Sequence, residues 1–327
     1  MLLLTKEDIK KVFTMNDAIE ADKKCYRMFN EGKFDVPLRT VISGKDGNYI
    51  FMPSYGEEMS AAGVKIVNIM PGNTALGLPA SIGQVLLIDG ETGVVSGLMD
   101  GTYVTALRTA AASGAAYDLF GIKDATIGAM IGTGSQAMCQ LEALLTARQL
   151  KEVHVAARNF EKTKKFVEAA KKELGGFGTE IIAFENPNEA IKDADLLTLV
   201  TTSEKPVFDA DYLKKGCTIS AVGAYTYDMQ ELDPKVFSKC SKIYFDSVEA
   251  VLSESGDILR PMDEGILTKE QFTGDIGEYI LGQIPGRESD DEIIVFENVG
   301  MGALDLTAAA DIMSKAKAAG IGLKWGE

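Results

Sequence analysis

The stretch Ile127-Gly-Ala-Met-Ile-Gly132-Thr133-Gly134-Ser135-Gln136-Ala137 decides the fold, because an apolar run breaks there into a glycine turn that opens a helix. Gly132 permits the tight turn and Gly134 lets backbone approach a pyrophosphate. Ala137 supplies the small third position of G-x-G-x-x-G/A, where helix packs on strand. A helix read over 136–148 then turns its unpaired N–H groups and positive dipole end toward the phosphates. A bare G-x-G-x-x-A also occurs as a structural turn. Here a strand precedes it and a second strand follows at 153–157, the setting of a dinucleotide site in which Thr133, Ser135 and Gln136 complete the phosphate loop.

The end of that second strand bears on which dinucleotide. A NAD-selective site places Asp or Glu about 20 residues past the glycines to hold the ribose 2′-hydroxyl. This chain reads Val155-Ala-Ala157-Arg158-Asn159-Phe160, with no acid at that place. Arg158 is positioned to pair with a 2′-phosphate and Asn159 to hydrogen-bond to it, which favours NADPH over NADH. The alternative is that Arg158 only solvates a strand end.

From residue 125 onward strand and helix alternate. Strands are read at 126–131, 153–157, 180–183, 196–200, 218–222, 242–245 and 293–296, with helices such as 160–174 between them. That is the grammar of an α/β, doubly wound parallel sheet of Rossmann type. The first third differs. A capping box at Thr5-Lys-Glu-Asp8 opens one helix, and Asn16 or Asp17 starts a second that runs to Asn30. Strands follow at 38–42, 49–52, 64–69, 84–88 and 94–99, with Asp89–Gly93 as a hairpin loop, and then a long helix at 102–119. This reads as a separate mixed-sheet domain, to which the last helix, 304–318, can return.

Composition narrows the classes. The 327 residues carry 46% hydrophobic and 25% charged side chains, the balance of a globular protein with a full core. A net charge of −15 argues against nucleic acid and anionic membrane surfaces as partners. No apolar run reaches membrane-spanning length and Met1-Leu-Leu-Leu-Thr-Lys lacks the regions of a signal peptide, so a cytoplasmic location is expected. The four cysteines, Cys25, Cys139, Cys217 and Cys240, are scattered and are expected reduced and buried. The single histidine, His154, lies in the strand after the dinucleotide helix, which leaves no histidine-based acid/base chemistry and no His-rich metal site.

Three cations stand alone in apolar surroundings. Arg108 is the only charged residue in Gly101–Tyr117, a segment apolar on all sides and therefore buried. An unpaired buried guanidinium is too costly to keep, so it needs an anion, from elsewhere in the fold or from a ligand. Lys65 in Ala62-Gly-Val-Lys65-Ile-Val-Asn68 and Arg39 in Val36-Pro-Leu-Arg39-Thr-Val-Ile42 pose the same problem. Each could pair with one of the 48 acids; three together beside a dinucleotide site point instead to a pocket for a substrate carboxylate. A lysine desolvated among cations has a depressed pKa, which suits it to proton transfer at neutral pH.

Around these residues the chain resembles the ornithine cyclodeaminase/mu-crystallin family. The resemblance runs through Pro37-Leu-Arg39, Gly63-Val-Lys65-x-Val-Asn68 with Pro71-Gly-Asn73, Thr105-Ala-Leu-Arg108-Thr-Ala-Ala111, the glycine loop, Ser253-Glu254-Ser-Gly-Asp257 and Gly286-Arg287-Glu-Ser. It implies that Arg39, Lys65 and Arg108 hold a substrate carboxylate, with Lys65 the proton-transfer group. It implies that Thr109, Thr201, Val222, Asn298 and Val299 lie near the cofactor or nicotinamide. It also implies a Rossmann domain at 116–302 and a substrate and dimerisation domain, 1–115 with 303–327, through which a homodimer forms. Cyclodeaminases of the family carry an aspartate shortly after a Val-Gly pair. Here Val222-Gly-Ala224-Tyr225-Thr-Tyr-Asp228 puts Tyr225 at that place and an acid three residues on, as in the mu-crystallin-like branch.

The expected activity is NADPH-dependent reduction of a small cyclic imino acid, Δ1-pyrroline-2-carboxylate or Δ1-piperideine-2-carboxylate. The same carboxylate pocket would serve an alanine-type amino-acid dehydrogenase or an ornithine cyclodeaminase. A non-catalytic binding protein is the third reading.

Overall fold

A computed structural model describes residues 1–326, apart from the side chain of Thr74. The chain separates into two compact units, Met1–Arg108 with Gly300–Glu327, and Thr109–Val299. The breaks fall ahead of the expected 115/116 and 302/303, the first of them inside a continuous helix, Gly101–Phe120.

The first unit is built on a mixed sheet of β1 (Leu2–Leu4), β2 (Phe34–Asp35), β3 (Thr40–Ser43), β4 (Asn48–Gly56), β5 (Ala61–Ile69), β6 (Ser81–Asp89), β7 (Val95–Asp100) and a C-terminal strand, Leu323–Lys324. Their order is C-terminal strand, β1, β7, β6, β5, β4, β2, with β3 also on β4. β1, too short for any periodicity to reveal, lies parallel to β7 with Leu3 opposite Leu98. Strands β4 to β7 form an antiparallel meander in which Met52, Lys65, Val85 and Met99 stand in one row. All four are buried. That face lies under the helix Gly302–Ala319, which also packs on the helix Met15–Asn30.

Two local expectations change. The helix Met15–Asn30 starts earlier than Asn16 or Asp17, because the Thr14 hydroxyl accepts the Asp17 N–H and the Asp17 carboxylate accepts the Thr14 N–H, a reciprocal cap. Residues 36–39 are not strand. β3 begins at Thr40, so Arg39 sits on irregular backbone just after Pro37-Leu38; proline supplies no N–H to a ladder.

The second unit holds eight parallel strands: β8 (Ile127–Ile131), β9 (Glu152–Ala156), β10 (Glu180–Phe184), β11 (Leu196–Leu199), β12 (Thr218–Ala221), β13 (Lys242–Phe245), β14 (Gly274–Asp275) and β15 (Ile294–Glu297). Their order is β10-β9-β8-β11-β12-β15-β13-β14, so the winding reverses between β8 and β11. Ligands of such sheets bind outside the strands' carboxyl ends at that reversal. Arg287 braces this unit: its guanidinium donates to the carbonyls of Phe120, Ser289, Glu292 and Gly216 and to the Thr218 hydroxyl. Cys25 and Cys217 are buried, whereas Cys139 and Cys240 are only partly so, and all four are free thiols.

Candidate functional site

In the first unit, Lys65 and Arg108 converge on one acid that sequence reasoning did not single out. Lys65 Nζ lies 2.7 Å from Asp305 Oδ2 and Arg108 Nε donates to Asp305 Oδ1 at 3.0 Å. All three side chains are at most 5% exposed. Lys65 arrives from the middle of β5, and Arg108 from the helix that follows β7. Asp305 comes from the first turn of Gly302–Ala319, where the helix dipole favours a carboxylate. The close approach of that helix is built into the glycines. A Cβ on Gly63 would press on Leu306 at 3.0 Å, and one on Gly302 would stand 3.2 Å from the Pro53 carbonyl. The Ser54 hydroxyl donates to the Gly302 carbonyl at 3.1 Å. Asp305 had a legible signal, since an acid in the apolar run Gly302-Ala-Leu-Asp305-Leu-Thr-Ala is the counterpart of the lone cations.

Each internal anion now has an accounting. Burial, followed by the neighbouring Arg108, pulls Lys65 down to about 7, with Asp305 opposing. For Arg108, burial is outweighed by Asp305 and Asp22, and its pKa is raised. For Asp305, burial is outweighed by the two cations, and it stays below the usual carboxylate range. Asp22, fully buried on the helix Met15–Asn30 with neither oxygen hydrogen-bonded, is pushed well above the usual carboxylate range by burial, with Arg108 opposing. One carboxylate thus serves two cations.

Arg39, half-buried, reaches the same neighbourhood through Gly300: its Nη2 donates to the Gly300 carbonyl at 3.1 Å. Gly300 has φ +77°, and a Cβ there would overlap Arg108 Nη1. Glycine is therefore required twice over, by its left-handed backbone and by the guanidinium against its α-carbon.

In the second unit the candidate cofactor residues follow carboxyl ends of strands, Gly132–Ala137 after β8, Arg158 and Asn159 after β9, Thr201 after β11, Val222 after β12 and Asn298 after β15, except Thr109, which lies on the helix Gly101–Phe120. Gly132 has φ +123°, and a Cβ there would overlap the Val200 carbonyl. At Gly134 a Cβ would meet nothing within 4 Å, leaving exposed backbone open to an approaching pyrophosphate. The helix Ala137–Ala147 begins at Gln136 without a side-chain cap, so its first-turn N–H groups are not taken by a side chain. A dinucleotide fits this edge on those observations. Thr133 is half-buried and Ser135 exposed at the turn. The Thr109 carbonyl accepts from Gln140, and the Asn298 side chain is pinned to the Ala221 carbonyl. The Val222 N–H bonds to Leu199 and the Val299 N–H to Asp246.

Arg158 is exposed and makes no ion pair among the described residues. Asn159 caps the helix Phe160–Glu173, its Oδ1 accepting the Lys162 N–H at 3.0 Å. Tyr225 is half-buried and Asp228 exposed. His154 is held inside the sheet by the Ala190 carbonyl and Glu152, against the Phe184 ring.

With this geometry in view, comparison with known proteins is direct. The model of the ornithine cyclodeaminase/mu-crystallin family matches residues 1–320. The chain belongs to that family. It is 33% identical over 324 residues to a Δ1-pyrroline-2-carboxylate reductase of Bacillus cereus, covering 98% of each chain. Among solved structures, the Δ1-pyrroline-2-carboxylate reductase of Thermococcus litoralis, in complex with NADH and L-proline, superposes with a TM-score of 0.94 at 37% identity, over 99% of this chain and 100% of that one. An archaeal alanine dehydrogenase dimer with bound NAD gives a TM-score of 0.91 at 33% identity, over 100% and 99%.

Proposed function

We propose that the protein reduces a small cyclic imino acid, Δ1-pyrroline-2-carboxylate or Δ1-piperideine-2-carboxylate, to the amino acid, using NADPH in preference to NADH. The observation that carries this reading is the Lys65–Arg108–Asp305 cluster, in which two buried cations share one carboxylate. Arg108 and Arg39 supply forked donors for the substrate carboxylate. Lys65, with a pKa of about 7, holds a proton that it can give to the imine nitrogen. A bound reduced nicotinamide supplies the hydride for the C=N carbon. One proton and one hydride convert the imine to the amine, and the residues' own contributions are to hold the carboxylate and deliver the proton. The relatives named as pyrroline-2-carboxylate reductases support the substrate class.

The preference for NADPH rests on unpaired Arg158 and the missing acid after β9. The relative bound to NADH makes this the point to measure. A grid of NADPH and NADH against pyrroline-2-carboxylate, piperideine-2-carboxylate and pyruvate plus ammonia tests both claims. NADPH oxidation with a cyclic imino acid, and its weakening in Arg158→Ala, is expected; faster use of NADH would reverse the cofactor assignment. The alanine dehydrogenase relative favours a second reading, amino-acid oxidation in the same pocket, which would show as NAD(P)H formation from alanine. Cofactor binding without turnover of any of these compounds would mean a binding protein.

A homodimer is part of the proposal. The sheet face opposite Lys65 carries a partly exposed apolar row that includes Tyr49, Phe51, Tyr55, Ile66, Leu86 and Leu98. A second copy covering it would bury surface that a monomer leaves wet.

A further inference from the structure

The buried acids of the second unit form a network that the chemistry above does not use. Glu231 is fully buried and its two oxygens serve two different loops: Oε1 accepts the Thr201 N–H at 2.5 Å, after β11, and Oε2 accepts the Gly223 N–H at 2.6 Å, after β12. Asp257 holds Glu231 in turn, its Oδ1 accepting the N–H groups of Glu231 and Leu232, both at 2.7 Å. Glu297 at the end of β15 accepts the Ser255 hydroxyl at 2.7 Å, and Asp246 accepts the Val299 N–H at 3.1 Å. The loops are in contact as well, since a Cβ on Gly223 would overlap both the Thr201 carbonyl and Glu231 Oε2.

From this geometry we infer that Glu231 is a positioning residue for the cofactor: it clamps the backbone of Thr201 and Gly223 so that neighbouring strand ends present one preformed floor to the nicotinamide half of the dinucleotide. The inference rests on the cofactor reading above and goes further, because Glu231, eight residues beyond Gly223 in the chain, is fully buried and acts on Thr201 and Gly223 through their backbone N–H groups. The clamp requires two acceptor oxygens. A carboxyl group keeps a lone pair on each oxygen whether or not it is protonated. The amide nitrogen of glutamine has none and would point N–H at N–H.

The test is Glu231→Gln. NADPH affinity is followed by enhancement of its fluorescence, and KM is measured for NADPH and for pyrroline-2-carboxylate. The expected result is a tenfold or greater rise in Kd and KM for NADPH, with KM for the imino acid within twofold and an unchanged far-UV circular dichroism spectrum. A lowered Tm with unchanged cofactor constants, or an equal rise in both KM values, overturns the inference. Hydrogen exchange on the unmodified protein decides the matter if the variant does not fold. The Thr201 and Gly223 amides should exchange slowly before cofactor is added, and slow exchange appearing only after loading overturns the clamp. An unmodified protein that binds neither NADPH nor NADH removes the cofactor reading itself, whereas normal binding by both wild type and E231Q removes only the role of Glu231.

Discussion

Replacing Lys65 with methionine should raise stability while destroying turnover, an outcome that separates a functional lysine from a structural ion pair. The cluster holds two cations and one ionised acid, and Lys65→Met leaves the matched pair Arg108–Asp305. The drop of Lys65 from an ordinary 10.5 to about 7 corresponds to roughly 5 kcal/mol against its ammonium form, an upper figure for so buried a group. Methionine has similar length and needs no solvation, so below pH 7 the variant should be as stable as wild type or more stable, by up to about 3 kcal/mol. The advantage must shrink with pH. The unfolded chain keeps this proton up to 10.5 and the folded one releases it near 7. Between those values the unfolded state binds more protons, and the residue's contribution to stability rises with pH. From pH 6 to pH 9 the change is about 2–3 kcal/mol. Buried Glu231 and Asp257, raised to about 8 and about 7, act in the opposite sense, so that stability falls as pH rises through their windows. They are common to both proteins and cancel in the difference. Urea melts of wild type and variant at pH 6 and pH 9 supply the comparison. Reduction requires protonated Lys65, so the wild-type rate should fall above about pH 7, and the variant should lose roughly 10²–10⁴ in kcat. A variant destabilised by 3 kcal/mol or more, or one that turns over normally, would falsify the assignment.

Gly300→Ala should cost about 1–3 kcal/mol for the left-handed backbone alone. It should also push Arg108 out of place and disturb the carbonyl held by Arg39, raising KM for the imino acid at least tenfold while NADPH binding stays within twofold; equal substrate KM in the variant would deny the two arginines a shared role. Arg287→Lys removes most of a five-acceptor brace and should lower stability by about 2–4 kcal/mol in urea melts, with kcat near normal in the folded fraction; a kcat defect exceeding the loss of folded protein would place Arg287 nearer the chemistry.

Short-range patterns carried much of this molecule's description. Alternation of strand and helix after residue 125 determined a parallel doubly wound sheet, because buried parallel strands and amphipathic crossovers leave periodicities that need no partner to be visible. Gly132 announced its turn through a left-handed backbone that glycine adopts freely. Lys65 and Arg108 announced themselves by charge in apolar segments, because such charge must be answered. What answers it is a matter of tertiary structure: Asp305 lies almost two hundred residues from Arg108 in the chain, and only the return of the last helix to the first sheet makes them neighbours. Arg39 on irregular backbone, Asn159 as a helix cap and Glu231 as a clamp were likewise decided by folding. Hydrogen-bond partners far apart in sequence leave no periodic trace, so local propensity and pattern stop short of them. Sequence by itself determined which groups had to be paired; the packed chain alone decided with what.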